Sequence, residues 1–418
     1  MRKQTRILFV DNSVDSFRRD RMQLVYAARD RGWEVHIAAP RGAMAHEIVR
    51  EGFPFHEIPM SRQGTSVWAE PATVFALFLM YRRLRPTLVH HLRLKPVLYG
   101  SIAAGFARVP GIVNTLTGLG FLFTNEAEQT AILRKWVKFG CRRAFRNPKL
   151  RVTFQNPDDR AVFIRENLVF GNQTVIIKGS GVDVSLFKPA PEPPGPPVIV
   201  LASRMLWDKG IAQFIQAAQE LKAQGVQARF VLVGDVDLGN PASIPVEQLH
   251  AWSNSGVVEW WGYRKDMPSV LEQSHIVCLP SYREGIPRIL IEAAAAGKPI
   301  VTTDAPGCRE LIRPGENGLL VRVGDTADLR NSLRLLIENP EMRSGMGENN
   351  RELAIREFAQ ELVISQFMNV YDDLLGISES AQVNAAFPNM ESRVRETVLT
   401  GQALPGPLLS GGATGDAK

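Results

Sequence analysis

Short apolar runs alternate with longer stretches in which apolar residues recur every three to four positions. The first run is Arg6-Ile7-Leu8-Phe9-Val10, rich in β-branched and aromatic residues. A polar turn, Asp11-Asn12-Ser13, follows, then a helical pattern ending before Gly32, then Glu34-Val35-His36-Ile37-Ala38-Ala39. Strand, helix and strand in this order is the mark of a parallel sheet with short crossovers. The rhythm continues with a strand over Phe53 to Ile58, a helix from about Pro71 to Leu84, the strand Thr87 to His91, a helix from about Pro96 to Arg108, and the strand Gly111 to Thr115. The pattern predicts an open, doubly wound α/β sheet.

At Lys188-Pro189-Ala190-Pro191-Glu192-Pro193-Pro194-Gly195-Pro196-Pro197 the chain can form neither helix nor central strand, because proline fixes φ and lacks a donor. A domain boundary is expected there, dividing an N-terminal unit, residues 1–188, from a second, residues 198–357. The second repeats the rhythm: strand Val198 to Ala202, helix Gly210 to Gln224, strands Ala228 to Gly234, Val257 to Trp261 and Ile276 to Leu279, helix Arg288 to Ala296, and strand Pro299 to Thr302. A last helix, about 358–376, is expected to pack back on the first domain. Residues 378–418 lose periodicity and read as a mobile tail. Two Rossmann-like domains facing each other place a cleft at the carboxyl ends of both sheets, where open α/β folds bind ligands.

Composition narrows the function classes. The 418 residues are 45% apolar and 22% charged, which excludes a disulfide mini-protein, a disordered chain and a multi-span membrane protein. The apolar start is broken at Asp11, unlike a signal peptide, and Thr73 to Tyr81 falls short of the roughly 18 apolar residues of a span. Its all-round apolarity predicts a core helix. Three distant cysteines, Cys141, Cys278 and Cys308, read as reduced thiols, and a cytoplasmic location is expected. The net charge of +6 hides an asymmetry, since residues 1–150 hold 24 Lys and Arg against 11 Asp and Glu. A half so basic fits nucleic acid, an anionic membrane or a phosphorylated acceptor.

A Walker loop, a G-x-G-x-x-G after the first strand, H-E-x-x-H and G-x-S-x-G are all missing, which argues against nicotinamide chemistry and serine hydrolysis. What stands out is Tyr282-Arg283-Glu284-Gly285-Ile286-Pro287-Arg288, leading into a helix that carries Glu292. Glu284 precedes the helix and Glu292 lies two turns along, so a ligand across the helix start meets both, and the free amides there face an anion. That terminus contributes about 0.3 to 1 kcal/mol, too little to hold a diphosphate. Arg204 and Lys209, in the loop after the first strand of the second domain, supply charge-assisted bonds of about 1.5 to 3 kcal/mol each.

These residues, with Leu232-Val233-Gly234-Asp235, Gly262-Tyr263-Arg264, Thr303 to Glu310 and Pro314 to Val321, resemble the retaining nucleotide-sugar glycosyltransferases of the GT-B fold, family 4 type. The resemblance implies that Arg204 and Lys209 grip the donor diphosphate and that Glu284, Gly285, Ile286 and Pro287 contact donor sugar and phosphate. It further implies that Glu292 accepts ribose hydroxyls, that Tyr263 and Arg264 border the base, and that Asp235 lies on the donor side. Positive charge and amide dipoles would stabilise the leaving nucleotide diphosphate, so a metal-independent reaction without cofactor is expected. Asp235-Val236-Asp237 matches the D-x-D of metal-dependent transferases but is read as a turn after a strand.

Val89-His90-His91-Leu92-Arg93-Leu94-Lys95 and Asn114 to Phe121 resemble the branch that lengthens glycans on polyprenyl diphosphates. That branch implies a catalytic histidine at the strand end. His91 is the first choice and His90 the alternative, because neighbours on a strand point oppositely. Arg93 and Lys95 are the implied acceptor contacts. Asp20-Arg21 departs from the more frequent His-Arg, and the first loop has no glycine pair.

The resulting expectation is transfer of a hexose or N-acetylhexosamine from a UDP-sugar to a lipid-linked saccharide at the inner face of the cytoplasmic membrane, in surface glycan synthesis. Arg82, Arg83 and Arg85, with Arg134, Lys135, Trp136, Lys138, Arg142, Arg143 and Arg146, are candidate contacts to anionic lipid. A nucleotide-sugar epimerase of the same architecture is the alternative. Nucleic-acid binding is a weaker one, since the chain has no RNP-like motif or zinc knuckle.

Overall fold

The computed structural model describes residues 4–60, 69–118 and 131–377. The expected tail, 378–418, and the loop positions from Leu119 to Asn125 lie outside them, as do the side chains of Arg134, Lys135 and Trp136.

The first domain contains strands β1 (Arg6–Val10), β2 (Glu34–Ala39), β3 (Phe55–Glu57), β4 (Leu88–Leu92), β5 (Gly111–Leu116), β6 (Leu150–Phe154) and β7 (Thr174–Ile176). Its helices are α1 (Val14–Asp30), α2 (Ala45–Arg50), α3 (Ala69–Leu84), α4 (Leu94–Ala107), α5 (Ala131–Ala144) and α6 (Pro157–Arg165). All strand pairings are parallel, in the order β3-β2-β1-β4-β5-β6-β7. Helices cover both faces, which is why β1 reads as a continuous apolar run after Arg6 and why all five residues of β4, its two histidines included, are buried. Each fully buried Leu, Ile or Phe in such a run stabilises the fold by about 1.5 to 3 kcal/mol.

The proline-rich segment carries no regular element and leads to β8 (Val198–Ala202), β9 (Arg229–Val233), β10 (Glu259–Trp260), β11 (Ile276–Leu279), β12 (Ile300–Thr303) and β13 (Gly318–Val321), paired in the order β10-β9-β8-β11-β12-β13. Around this parallel sheet lie α7 (Ile211–Ala223), α8 (Val246–Asn254), α9 (Met267–Glu272), α10 (Arg288–Ala295), α11 (Thr326–Glu338) and α12 (Pro340–Leu353). The last helix, α13 (Gln360–Leu375), returns to the first domain, where Phe367, Met368 and Tyr371 join Ile7, Phe9 and Phe17 in one core.

Several elements differ from the sequence expectation. The strand expected over Phe53 to Ile58 is confined to Phe55–Glu57, and that over Val257 to Trp261 to Glu259–Trp260, because both lie at sheet edges with a partner on one side. Helix α3 is not buried all round: Leu77 and Tyr81 enter the core while Phe75 and Leu79 face solvent. Cys141, Cys278 and Cys308 are buried free thiols.

In each sheet the strand order reverses beside the first strand, between β1 and β4 and between β8 and β11. The loops leaving these pairs diverge and open a crevice at the carboxyl edge. The two crevices form opposite walls of one cleft.

Candidate active site

The cleft has a volume of about 690 Å³, ample for a small-molecule ligand. On the second-domain wall, the loop after β8 is drawn against the loop after β11. Gly210 makes this possible: it sits at φ +71°, and a Cβ there would lie 2.0 Å from the Pro280 carbonyl oxygen. Lys209 is thereby buried with its ammonium 2.6 Å from Glu284 Oε1, which also accepts from the Ser281 hydroxyl at 2.9 Å. Burial opposes the lysine's charge, but Glu284 and Asp208 outweigh it and hold the ammonium above its ordinary pKa. A buried cation is thus kept charged at the place where a phosphate can meet it.

Arg204 is half exposed at the cleft rim, where Asp237 pairs with its guanidinium. Asp237 also accepts from the Asn240 amide at 3.1 Å, so the second acid of the D-x-D match is occupied by protein groups. Glu292, on α10, is buried, and burial pushes its carboxyl up against the opposing pull of Arg288. Arg204, Lys209, Asp235, Tyr263, Arg264, Glu284, Ile286, Pro287 and Glu292 all line the cleft. The fold therefore brings together residues spread over nearly ninety positions of sequence.

The first-domain wall contains Asp11, Arg19, Asp20, Arg21, Leu92 and Arg93. Asp11 ends β1 in the polar turn before α1. It is buried, which raises its carboxyl pKa even though Arg93 Nε stands 3.1 Å away and pulls it down. Arg93 adopts φ 74° and ψ 166°, a region that is strained for any residue with a Cβ by about 1 to 3 kcal/mol and is found chiefly where function demands it. The acceptor contact inferred at Arg93 thus faces the cleft. Lys95, in the first turn of α4, is not among the described residues that line it.

His90 and His91 are not at the cleft, and the catalytic assignment to either is corrected. Both are 0% exposed. Strand neighbours do point to opposite faces, but in a doubly wound sheet both faces are covered, so neither direction leads to solvent. His91 lies under α3 and α4, 2.9 Å from the Tyr81 hydroxyl and 2.8 Å from Asn114 Oδ1. His90 lies under α1 and α13, 2.6 Å from the hydroxyls of both Tyr371 and Thr115. Burial lowers His91 to about 4 and puts His90 well below its ordinary value. Both are neutral core histidines whose ring nitrogens are satisfied. The strand also runs one residue further than expected, so that Leu92 and Arg93 occupy the edge of the cleft.

Gly285 has a different role from the one expected. A Cβ there would lie 2.2 Å from both Gln155 Oε1 and the Thr117 carbonyl oxygen, so the missing side chain admits the first domain rather than a ligand. Asn156 donates to the Gly285 carbonyl at 2.9 Å, and the Ile286 amide donates to Gln155 Oε1 at 3.0 Å. Arg283 pairs with Asp159 nearby. No role was read from the sequence for these contacts, for Asp11 or for Arg288, and Asp20 was noted only as a departure from the more frequent histidine. A local signal for Asp11 was its place in a polar turn at a central strand end.

Two family models match the chain: glycosyl transferases group 1 over residues 185–353, and glycosyl transferase 4-like over residues 6–146. The N,N'-diacetylbacillosaminyl-diphospho-undecaprenol alpha-1,3-N-acetylgalactosaminyltransferase of Campylobacter jejuni is 26% identical over 383 residues, covering 88% of this chain and 99% of that protein. The UDP-Gal:alpha-D-GlcNAc-diphosphoundecaprenol alpha-1,3-galactosyltransferase of Escherichia coli is 22% identical over 331 residues, 76% of this chain and 83% of that one. Anabaena HepE, solved with UDP and glucose, superposes with a TM-score of 0.71 at 21% identity, covering 88% of this chain and all of that chain. The matched models span both walls of the cleft, and the chain belongs to the group 1, family-4-like glycosyltransferases, with their two-domain GT-B fold.

Proposed function

We propose that this glycosyltransferase moves a hexose or N-acetylhexosamine, with retention, from a UDP-sugar to a saccharide carried on a polyprenyl diphosphate, in surface glycan synthesis. The observation that carries the reading is the buried, charged Lys209 ammonium at the base of the cleft, flanked by Arg204 at the rim and by the α10 carboxylate Glu292. In this reading Lys209 and Arg204 exchange their carboxylate partners for the donor diphosphate and stabilise the charge that grows on it as the glycosidic bond breaks. Glu292 receives ribose hydroxyls, Glu284 and Ile286 face the donor sugar, and Tyr263 with Arg264 borders the base. The two cations supply the charge that a metal would otherwise bring, so the reaction runs without one. Arg93 and its carboxylate partners face the acceptor, and the acceptors named for the Campylobacter and Escherichia relatives support its assignment as a lipid-diphosphate-linked sugar.

Among the described residues no helix is long and apolar enough to cross a membrane. The acceptor is instead reached by peripheral docking at the cytoplasmic face. Helices α3, α4 and α5 expose Phe75, Leu79, Phe106 and Phe139 beside Arg82, Arg83, Arg142 and Arg143, an aromatic and basic surface suited to anionic headgroups. Each such cation near the surface contributes about 1 kcal/mol.

Transfer from UDP-sugars to a synthetic polyprenyl-diphosphate saccharide, with the product anomer read by NMR, tests the reaction. Turnover that requires the acceptor distinguishes it from an epimerase. No heat of binding from any nucleotide sugar, in folded protein, overturns it. Flotation with vesicles that is indifferent to anionic lipid overturns the docking.

A further inference from the structure

We infer that Arg288 is a positioning residue that ties the donor-binding carboxylate Glu292 to closure of the two domains, an inference that rests on the donor reading above. Arg288 is the first residue of α10 and lines the cleft. Its Nε donates to Glu292 Oε1 at 2.6 Å. Its Nη1 reaches across the cleft and donates to Asp20 Oδ1 at 2.8 Å and to the Arg19 carbonyl at 3.0 Å, both on α1. Asp20 is in turn gripped by Arg19, at 2.8 and 3.2 Å, and lies 3.8 Å from Arg93, which pairs with Asp11. An unbroken line of charges, Glu292, Arg288, Asp20, Arg93 and Asp11, therefore joins the carboxyl ends of the two sheets.

Local helix stability does not account for this arginine. A cation in the first turn opposes the helix dipole, and an Arg-to-Glu pair in that order along a helix is the less favourable orientation. What Arg288 gains is tertiary: one planar guanidinium satisfies a buried carboxylate of its own domain and two acceptors of the other. It also orients the donor seat. With Oε1 held by Arg288, Glu292 is turned so that a ribose hydroxyl meets its other oxygen. The positive charge beside this buried group opposes the protonation that burial favours. Asp20 is the first-domain end of the tie, and its carboxyl is held low by Arg19, Arg288 and Arg93 against the opposing effect of burial.

The consequence is a split in kinetic behaviour between the two ends of the tie. Arg288→Ala leaves Glu292 buried and unpaired, so the donor KM rises by roughly 10- to 100-fold and kcat falls with it. The acid limb of donor binding also moves to higher pH, because Glu292 loses the neighbour that held its carboxyl down against burial. Arg288→Lys keeps the charge but not the fork, and recovers part of the donor KM while kcat stays low. Asp20→Ala leaves the Arg288–Glu292 contact in place, so the donor KM stays within about 2-fold while kcat falls and the acceptor KM rises.

The test is steady-state kinetics of the full-length protein with both substrates varied, each variant matched to wild type in melting temperature and circular dichroism. Glu292→Ala serves as the reference. If wild type turns over and Glu292→Ala raises the donor KM while Arg288→Ala changes neither the donor KM nor its pH dependence, this inference fails and the donor site stands. If Glu292→Ala binds donor as wild type does, the donor reading itself fails. An Asp20→Ala variant whose donor KM rises as far as that of Arg288→Ala also overturns the assignment, because the two ends would then be one structural contact.

Discussion

The wall contributed by the second domain and the wall contributed by the first are made in the same way, from loops at the carboxyl ends of parallel strands around a topological switch point. Their chemistry is distributed differently. On the second-domain wall, Lys209 is kept charged by Glu284 and Asp208, and Glu292 follows in the helix just beyond. These groups sit in or beside two strand-end loops, so their types and spacing could be read locally. The first-domain wall is a lattice of carboxylates and arginines drawn from β1, α1 and the strained residue after β4, while the two conspicuous histidines of that strand are sealed in the core. The comparison teaches that the side chains of a strand-end motif reach the cleft when they emerge in loops, and are sealed in the core when they belong to the strand itself.

Four experiments put this contrast at risk. The largest effect is expected from Lys209→Ala, which removes a buried cation, leaves the part-buried Glu284 carboxylate without its partner and takes from the proposed donor its main cation. A loss of about 3 to 5 kcal/mol, hundreds-fold or more in turnover, is expected, and steady-state transfer assays check it. Activity within tenfold of wild type would remove the distinction between the walls.

The second is a pH experiment on the buried histidines. In the folded state His90 and His91 bind fewer protons than in the unfolded chain, where an imidazole titrates near 6.5. Stability is therefore fully present above about pH 6.5 and is lost as the pH falls towards the folded value, which for His91 is about 4. That one group accounts for about 3 kcal/mol over this window at 1.36 kcal/mol per unit. Chemical denaturation at pH 7.5 and 4.5 should show the loss, and His91→Gln should flatten the slope while leaving kcat per folded molecule unchanged. A kcat that collapses in folded His91→Gln would return the histidine to the cleft.

Gly285→Ala comes third. Its methyl group would meet Gln155 Oε1 and the Thr117 carbonyl at 2.2 Å, forcing the walls apart at a cost of about 1 to 3 kcal/mol. Transfer should fall by more than donor binding does, as calorimetry set against kinetics would reveal; equal losses would place Gly285 on the donor instead. The smallest effect is expected for Arg93→Ala, which should raise the acceptor KM by roughly tenfold, the value of one charge-assisted bond, and leave the donor KM as it was. A change in the donor KM alone would move Arg93 to the other substrate.

The architecture was largely legible in the sequence because hydrophobic period and turn residues act locally: β1, β2, β4, β5 and β8 follow their apolar runs. Strand β6 was not marked, since Arg151 and Thr153 interrupt its apolar pattern, nor was β13, which opens with a glycine. Both become strands through pairing with β5 and β12, which supply hydrogen bonds that local propensity does not.

By itself, the amino-acid order determined two parallel sheets and the strand-end loops of the second, because each depends on residues close together along the chain. Which side chains reach the cleft followed from the packing of whole layers. Helices on both faces of β4 closed over His90 and His91, and the approach of the domains at Gly285 brought Asp20 to Arg288, a pairing between residues 268 positions apart. Burial and cross-domain contact depend on how whole layers pack, and no local spacing of residue types carries that information.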